Sequence, residues 1–173
     1  MNLLIHDLSK IEVEKFIGDT DDIKIISNNS SIRSCMGCFG CWIKTPGKCV
    51  INDDYQNMGA LFGAAENVIV ISRCFYGGYS PFVKNVIDRS IPYLIPFFKI
   101  KQNETHHKQR YRNKFNLIVC FYGSDISNEE EEIATKLVEA NAINFDANRL
   151  KINFCENEEE ALRKGVSYAA HNC

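Results

Sequence analysis

The sequence has no apolar run long enough to cross a membrane, and residues 1–30 lack the basic start and apolar centre of a signal peptide. Basic residues do not predominate, because 20 Lys and Arg stand against 22 Asp and Glu, a net charge of −2. These absences argue against a membrane protein and against a nucleic-acid partner. We therefore expect a cytoplasmic protein that binds neither membranes nor nucleic acids.

The chain also lacks internal repeats, linkers and low-complexity tracts. A length of 173 residues suits one folded unit with a substantial core. We expect residues 1–173 to form a single domain. In a reducing compartment, clustered cysteines favour metal or redox chemistry over structural disulfides.

Five apolar, β-branched segments of strand length recur along the chain, and helical patterns separate them. The strand segments are residues 2–7, 23–27, 67–72, 115–121 and 148–154. Polar signals for helix starts stand at Ser9 with Glu12, Asn52 with Asp53, Ser80 with Pro81, Ser127 with Glu130, and Asn157. This alternation predicts an α/β fold: a doubly wound, five-stranded parallel sheet in three layers, of flavodoxin-like type.

Half of the eight cysteines fall within fifteen residues, at the spacing C-x2-C-x2-C-x7-C. They are Cys35, Cys38, Cys41 and Cys49. Thiolates this close can hold an iron–sulfur cluster or a closed zinc site. They can also be free or redox-active thiols in a structured loop, so all three alternatives remain open.

Two turns rich in glycine and aromatic residues follow the third and fourth predicted strands. The first reads SRCFYGGYSP (residues 72–81), and the second reads FYGSDIS (residues 121–127). Either turn alone is equally consistent with an ordinary loop. Because the carboxyl ends of neighbouring parallel strands share one edge of the sheet, the two turns together predict a planar aromatic cofactor there.

The strings C-x-G-C-x-x-C, P-G-x-C-x-I-x-D-D and V-K-N-V-I-D-R, between Cys35 and Arg89, resemble the NADPH-dependent FMN reductase family. Within that family, the sequence is similar to the iron–sulfur flavoprotein branch. The resemblance implies a flavodoxin-like fold, bound FMN and assembly into homodimers or homotetramers. It also implies an enzyme that transfers electrons from NAD(P)H or a protein donor to a small electron acceptor such as a quinone.

The resemblance also assigns site residues. FMN would be held by Ser72, Cys74, Phe75, Tyr76, Gly77, Gly78, Tyr79, Ser80, Tyr122, Gly123 and Ser124. The metal ligands would be Cys35, Cys38, Cys41 and Cys49, holding a [4Fe-4S] cluster. No catalytic side chain is implied, because the flavin itself carries the chemistry.

The turn after the first strand departs from the family pattern. It reads HDLSKIE (residues 6–12), without the glycine-containing loop that cradles the FMN phosphate in the family. Ser9 and Glu12 are set to cap the helix N–H groups that a phosphate would need, and Asp7 adds a repelling charge. In addition, Cys74 stands where the family usually has proline. We therefore predict impaired FMN phosphate binding, and a non-catalytic electron-transfer or redox-sensing module is the alternative function.

Overall fold

The computed structural model describes residues 1–18, 20–28 and 32–170, and within these ranges seven strands are formed. They are β1 (Asn2–His6), β2 (Ile23–Ile26), β3 (Asn67–Arg73), β4 (Leu94–Lys101), β5 (Glu104–Gln109), β6 (Asn116–Tyr122) and β7 (Leu150–Cys155). Five of them form one parallel sheet in the order β2-β1-β3-β6-β7. All five predicted strands are confirmed, and the order is the flavodoxin-like one once the β4–β5 hairpin is set aside.

Six helices accompany the strands within the described ranges. They are α1 (Lys10–Ile17), α2 (Gly40–Ile43), α3 (Met58–Ala64), α4 (Pro81–Arg89), α5 (Asn128–Phe145) and α6 (Glu158–Ala170). A 3₁₀ turn, Ile91–Tyr93, follows α4. No helix in this part of the chain combines the length and apolar character needed to span a bilayer.

The core has two halves because successive side chains of a strand point to opposite faces. Leu3 and Ile5 of β1 pack in the larger half, whose other side is formed by α3, α4 and α5. Leu4 of the same strand packs in the smaller half, with Val13 of α1 and Leu162 of α6. The sheet is therefore covered on both faces, and the predicted three-layer α/β architecture is confirmed.

The helix-start signals were only partly correct. Ser127 and Glu130 form a reciprocal capping box at α5, and Asn157 accepts a hydrogen bond from the Glu160 N–H at α6. The side chains of Ser9 and Ser80 make no capping hydrogen bond to α1 and α4. Helix α3 begins only at Met58, five positions after Asp53, whose carboxylate instead forms an ion pair described below.

The β4–β5 hairpin has no counterpart among the predicted elements. Three of its eight β4 side chains, those of Phe97, Phe98 and Ile100, are large, apolar and exposed. The hairpin is tied to the end of α5, since Lys99 and Lys101 both form ion pairs with Asp146. Burial alone would raise the pKa of Asp146, but hydrogen bonds from these lysines lower it to about 2.

Candidate functional site

All four clustered cysteines line one small cavity. Apolar and glycine residues complete its wall: Met36, Gly37, Phe39, Val50, Ile51 and Ile91. Cys41 and Cys49 are buried, Cys35 is half-buried and Cys38 is exposed. Burial, followed by the neighbouring Cys49 and Cys35 thiols, raises the pKa of Cys41. The fold thus brings the four predicted ligands around a single space.

The backbone of the cysteine segment turns sharply between the thiols. Gly37 and Phe39 both adopt positive φ angles, of 63° and 54°. Gly40 lies so close to Val50 that a Cβ atom added there would meet Val50 Cγ1 at 2.6 Å. The segment therefore folds back on itself, which lets Cys41 and Cys49, with seven residues between them, share one cavity.

The donor set suits an iron–sulfur cluster, since thiolates are the ligands that hold such clusters. Within the described ranges, no group of three or more His, Cys, Asp or Glu side chains is arranged to ligate a metal ion. The cavity measures about 30 Å³, close to the volume of one water molecule. The segment would therefore have to widen in order to admit a cluster.

A row of aromatic rings joins the cysteine segment to the β4–β5 hairpin. The Trp42 ring lies 5.0 Å from Phe39 and 4.7 Å from His107, measured between ring centroids. His107 in turn lies 4.7 Å from Phe98. The preceding residue, His106, is buried, and its Nδ1 pairs with Asn144 Oδ1 at 2.9 Å. His107 is half-buried, and its Nδ1 lies 3.0 Å from the Ile95 carbonyl oxygen.

A buried ion pair lies beside the cysteine cavity. Arg89 is 1% exposed, and its two terminal nitrogens each contact one carboxylate oxygen of Asp53, at 2.7 and 2.8 Å. Burial alone would lower the pKa of Arg89, but Asp53 and the nearby Cys49 raise it. Sequence reasoning missed this pair, because it interpreted Asp53 only as a helix-start residue.

The aromatic–glycine turn after β3 forms a tight two-residue reversal. Phe75 and Gly78 exchange two backbone hydrogen bonds of 2.9 Å, with Tyr76 and Gly77 at positive φ between them. The Tyr76 side chain is 85% exposed and that of Phe75 is 49% exposed. A Cβ at Gly77 would meet Ile133 Cβ at 2.7 Å, so only glycine lets this turn pack against α5. Phe75 and Tyr76 thus offer free ring surface.

Several other residues predicted to bind the flavin have buried side chains. Ser72 is fully buried, and its hydroxyl accepts a 2.9 Å hydrogen bond from the Ser80 N–H. Tyr79 packs on Phe121, and burial raises the pKa of Tyr79 to about 12. Such residues could contact a ligand only through their backbone. Cys74 is half-buried, and its N–H donates to the Tyr122 carbonyl at 3.0 Å.

The turn after β6 borders an open groove of about 450 Å³. Tyr122, Gly123 and Ser124 form one wall of the groove, and Arg73 lies beside them. The opposite wall, residues 156–159, contributes three glutamates and one asparagine. The groove is therefore predominantly acidic.

Asp7 lies in the short turn between β1 and α1, where the sequence predicts that a phosphate-binding loop is missing. Its Oδ2 accepts a 3.0 Å hydrogen bond from the Arg73 N–H, joining the ends of β1 and β3. Burial raises the pKa of Asp7, an effect only partly offset by the Ser80 hydroxyl, the Arg73 N–H and the Tyr122 hydroxyl. A backbone donor that a phosphate could use is thus already bound to a carboxylate.

The phosphate end of FMN does not fit the residues present at this edge. Only residues 7–9 connect β1 to α1, and none is a glycine. An adjoining cavity of about 380 Å³ is lined by Glu12, Glu158 and Glu159 together with apolar side chains. A phosphate requires free N–H donors and a favourable field. The carboxylates of Asp7, Glu12, Glu158 and Glu159 make the field here unfavourable, and the Arg73 N–H is already bound to Asp7.

Helix α4 separates the two parts of the candidate site. Its cap, Ser80, belongs to the aromatic–glycine turn, whereas its last residue, Arg89, lies beside the cysteine cavity. Nine residues at 1.5 Å each give a helix about 13 Å long. The predicted flavin loops and the predicted metal ligands are therefore at opposite ends of one short helix.

Comparison with known proteins gives partial matches to iron–sulfur flavoproteins. No protein-family model matches the chain. A 69-residue segment, 40% of the chain, is 35% identical to an iron-sulfur flavoprotein of Methanocaldococcus jannaschii and covers 35% of that protein. An 81-residue segment, 47% of the chain, is 32% identical to an iron-sulfur flavoprotein of Methanosarcina thermophila and covers 41% of it. The matches thus span less than half the length of these relatives.

Solved structures resemble the whole chain. The NAD(P)H:quinone oxidoreductase from Methanothermobacter marburgensis aligns with a TM-score of 0.60 at 12% identity, covering 98% of this chain and 95% of that one. An FMN-dependent NADH-azoreductase from Bacillus anthracis, solved with FMN, gives 0.55 at 11% identity, with 98% and 97% covered. At such identities the likeness shows the fold alone. The flavodoxin-like fold is confirmed, as is the resemblance of this chain to iron–sulfur flavoproteins.

Proposed function

We propose that this chain is a flavin-dependent oxidoreductase of the iron–sulfur flavoprotein type. It would pass electrons between NAD(P)H or a protein donor and a small acceptor such as a quinone. The observation that carries this proposal is that the four cysteines of the motif line one cavity in a flavodoxin-like fold. The similarity to proteins named iron-sulfur flavoproteins supports the same conclusion.

We propose that Cys35, Cys38, Cys41 and Cys49 hold a [4Fe-4S] cluster. When bound, such a cluster supplies single-electron storage at a potential set by its charge, hydrogen bonds and exposure. The chain would contribute four thiolates and an apolar wall that limits access of water. Cys38 is the exposed member, so its side of the cavity is the one open to solvent.

We propose that a flavin ring lies at the edge formed by Phe75 and Tyr76. Their exposed rings supply stacking surface, and the neighbouring glycines let the backbone approach closely. The flavin supplies the hydride and electron chemistry when bound, so the protein only has to position it. Because the phosphate end does not fit at Asp7, the ring rather than the phosphate would provide the binding energy.

We also propose that the protein forms a homodimer or homotetramer in the cytoplasm. The support for such assembly is a set of exposed apolar side chains on the cysteine segment and the hairpin: Met36, Phe39, Ile43, Phe97, Phe98 and Ile100. Burial of such side chains between copies of the chain would be favourable.

The acidic surroundings of the phosphate position favour a second candidate function. A chain that binds no flavin but retains the cysteine site would be an electron-transfer or redox-sensing module. The observation that favours this second function is that the Asp7 carboxylate already accepts a hydrogen bond from the Arg73 N–H.

Anaerobic purification followed by metal, sulfide and flavin analysis tests both functions. The proposed enzyme would contain about four iron and four sulfide per chain, would take up flavin, and would oxidise NAD(P)H with a quinone. Cys49→Ser should abolish iron binding, whereas the matched control Cys74→Ser, outside the cavity, should keep it. Iron without flavin uptake would support the second candidate. Protein that binds neither after reconstitution would exclude both.

A further inference from the structure

Arg89 and Asp53 join the two ends of the four-cysteine segment. One terminal nitrogen of Arg89 donates to the Arg33 carbonyl at 2.7 Å, and the other donates to the Ile51 carbonyl at 3.4 Å. Asp53 also accepts a 3.2 Å hydrogen bond from the Arg33 N–H. Residues 33 and 51 lie two positions before Cys35 and two positions after Cys49, so the pair fixes both boundaries of the segment.

The geometry leaves one donor of Arg89 available. Its Nε is buried and has no hydrogen-bond partner in normal geometry among the described residues. Cys49 lies within electrostatic and hydrogen-bonding reach of the guanidinium group. A buried donor without a partner is unfavourable, and a thiolate or cluster-bound sulfur at Cys49 would satisfy it.

Stability alone is a weak explanation for this pair. Burying both charges costs desolvation energy, and apolar side chains of similar size often serve as well. Between its boundaries the cysteine segment contains only the single-turn helix α2. Fixed ends with an adaptable interior are what a segment needs if it must widen around an inorganic group.

We propose that Arg89, held by Asp53, is the positioning residue of the four-cysteine site. It anchors both ends of the segment and directs its remaining N–H to the Cys49 sulfur. This inference rests on the proposed cluster function. It explains how the chain preorganises the four cysteines and how it sets the reduction potential of the cluster. Hydrogen bonds to cluster sulfurs and nearby positive charge raise reduction potentials.

Helix α4 offers a matched control. Lys84 and Asp88 form an ion pair of 2.6 Å on this helix, with both side chains more than one-third exposed. Removing that pair with Lys84→Met and Asp88→Asn eliminates one positive and one negative charge, as the double variant at Arg89 and Asp53 does, but at exposed positions. Its effect on the site should be negligible.

The test uses Asp53→Asn and the double variant Arg89→Met with Asp53→Asn. The amide oxygen of an asparagine at position 53 can still accept the hydrogen bonds from the Arg33 N–H and from one terminal nitrogen of Arg89. Its NH2 group cannot accept the bond from the other terminal nitrogen, so the single variant keeps part of the clamp and leaves the guanidinium charge uncompensated. The double variant is neutral, which avoids a buried unpaired carboxylate. Circular dichroism and thermal melting establish that each variant is folded.

Two readouts separate positioning from a merely structural role. In the metal-free protein, Cys49 should be alkylated at least ~10-fold faster in the double variant than in the wild type, relative to exposed Cys38, by mass spectrometry. After reconstitution with iron and sulfide, the reduction potential should rise in Asp53→Asn. In the double variant it should fall below that of Asp53→Asn by a tenfold change in equilibrium constant, about 59 mV for one electron.

The outcomes are distinct. A folded double variant in which Cys49 keeps its wild-type protection overturns the proposal, whether or not the protein binds iron. A reduction potential that does not rise in Asp53→Asn, or that does not fall in the double variant relative to Asp53→Asn, overturns it as well. If the wild type takes up no iron, the proposed cluster function fails, and the alkylation rates alone decide whether Arg89 anchors the segment.

Discussion

Replacing Asp7 with asparagine should convert this chain into a better FMN binder. The Asp7 carboxylate accepts a hydrogen bond from the Arg73 N–H, so this donor is not free for a phosphate. The negative charge of the carboxylate would also repel a phosphate bound at this turn. The side chain introduced by Asp7→Asn has nearly the same shape and can still accept that hydrogen bond. The change therefore removes charge with little alteration of the packing.

The size of the effect follows from electrostatics. Two unit charges about 4 Å apart repel by about 1 kcal/mol in water and about 4 kcal/mol at an effective dielectric constant of about 20. A phosphate carries more than one negative charge at pH 7. Loss of the Asp7 charge should therefore favour FMN by at least ~1.4 kcal/mol, a tenfold lower Kd.

Flavin fluorescence titration with FMN and riboflavin provides the assay, because the two ligands differ only in the phosphate. Asp7→Asn should lower the Kd for FMN and leave that for riboflavin unchanged. The control is Asp125→Asn, which removes an exposed carboxylate paired with Arg73 at 3.7 Å. Since burial raises the pKa of Asp7, acidification should also favour FMN over riboflavin as this carboxyl takes up its proton. Equal changes for both flavins, or none for FMN, would show that the Asp7 charge does not limit phosphate binding.

Two further predictions concern stability. His6 is fully buried, and burial lowers its pKa to about 4, an effect partly opposed by a hydrogen bond with the Leu8 backbone. Because the unfolded chain then binds the proton more tightly, stability should fall by up to about 3 kcal/mol as the pH drops from about 6.5 to about 4. Urea titrations at several pH values should show that His6→Leu loses this part of the pH dependence of its free energy of unfolding. The same pH dependence in His6→Leu and in the wild type would contradict the prediction. Gly59→Ala should destabilise the fold by about 1–3 kcal/mol despite alanine's better helix propensity, because the added Cβ would lie 2.7 Å from the Pro92 and Tyr93 backbone. An equal or higher urea midpoint would show that the 3₁₀ turn can move away.

Local pattern was sufficient for most of the fold. Strand alternation and the capping box of Ser127 and Glu130 act within a few residues, so a short window of sequence contains the information. The β4–β5 hairpin escaped prediction because most of β4 is exposed or half-buried on both faces. Without one buried face, a strand shows no alternation of apolar and polar residues.

The order of residues along the chain was enough to predict the parallel sheet, the four-cysteine motif and the lack of a glycine-rich phosphate loop. It could not predict that Arg89 pairs with Asp53, 36 residues away, or that Asp7 binds the Arg73 N–H, 66 residues away. Such partners meet only after the chain has been folded into layers. Sequence patterns within one element record which face is buried, whereas the tertiary path decides which charge meets which donor. For this protein that path placed the cysteines around one cavity, a buried guanidinium beside them, and a carboxylate where a phosphate would bind.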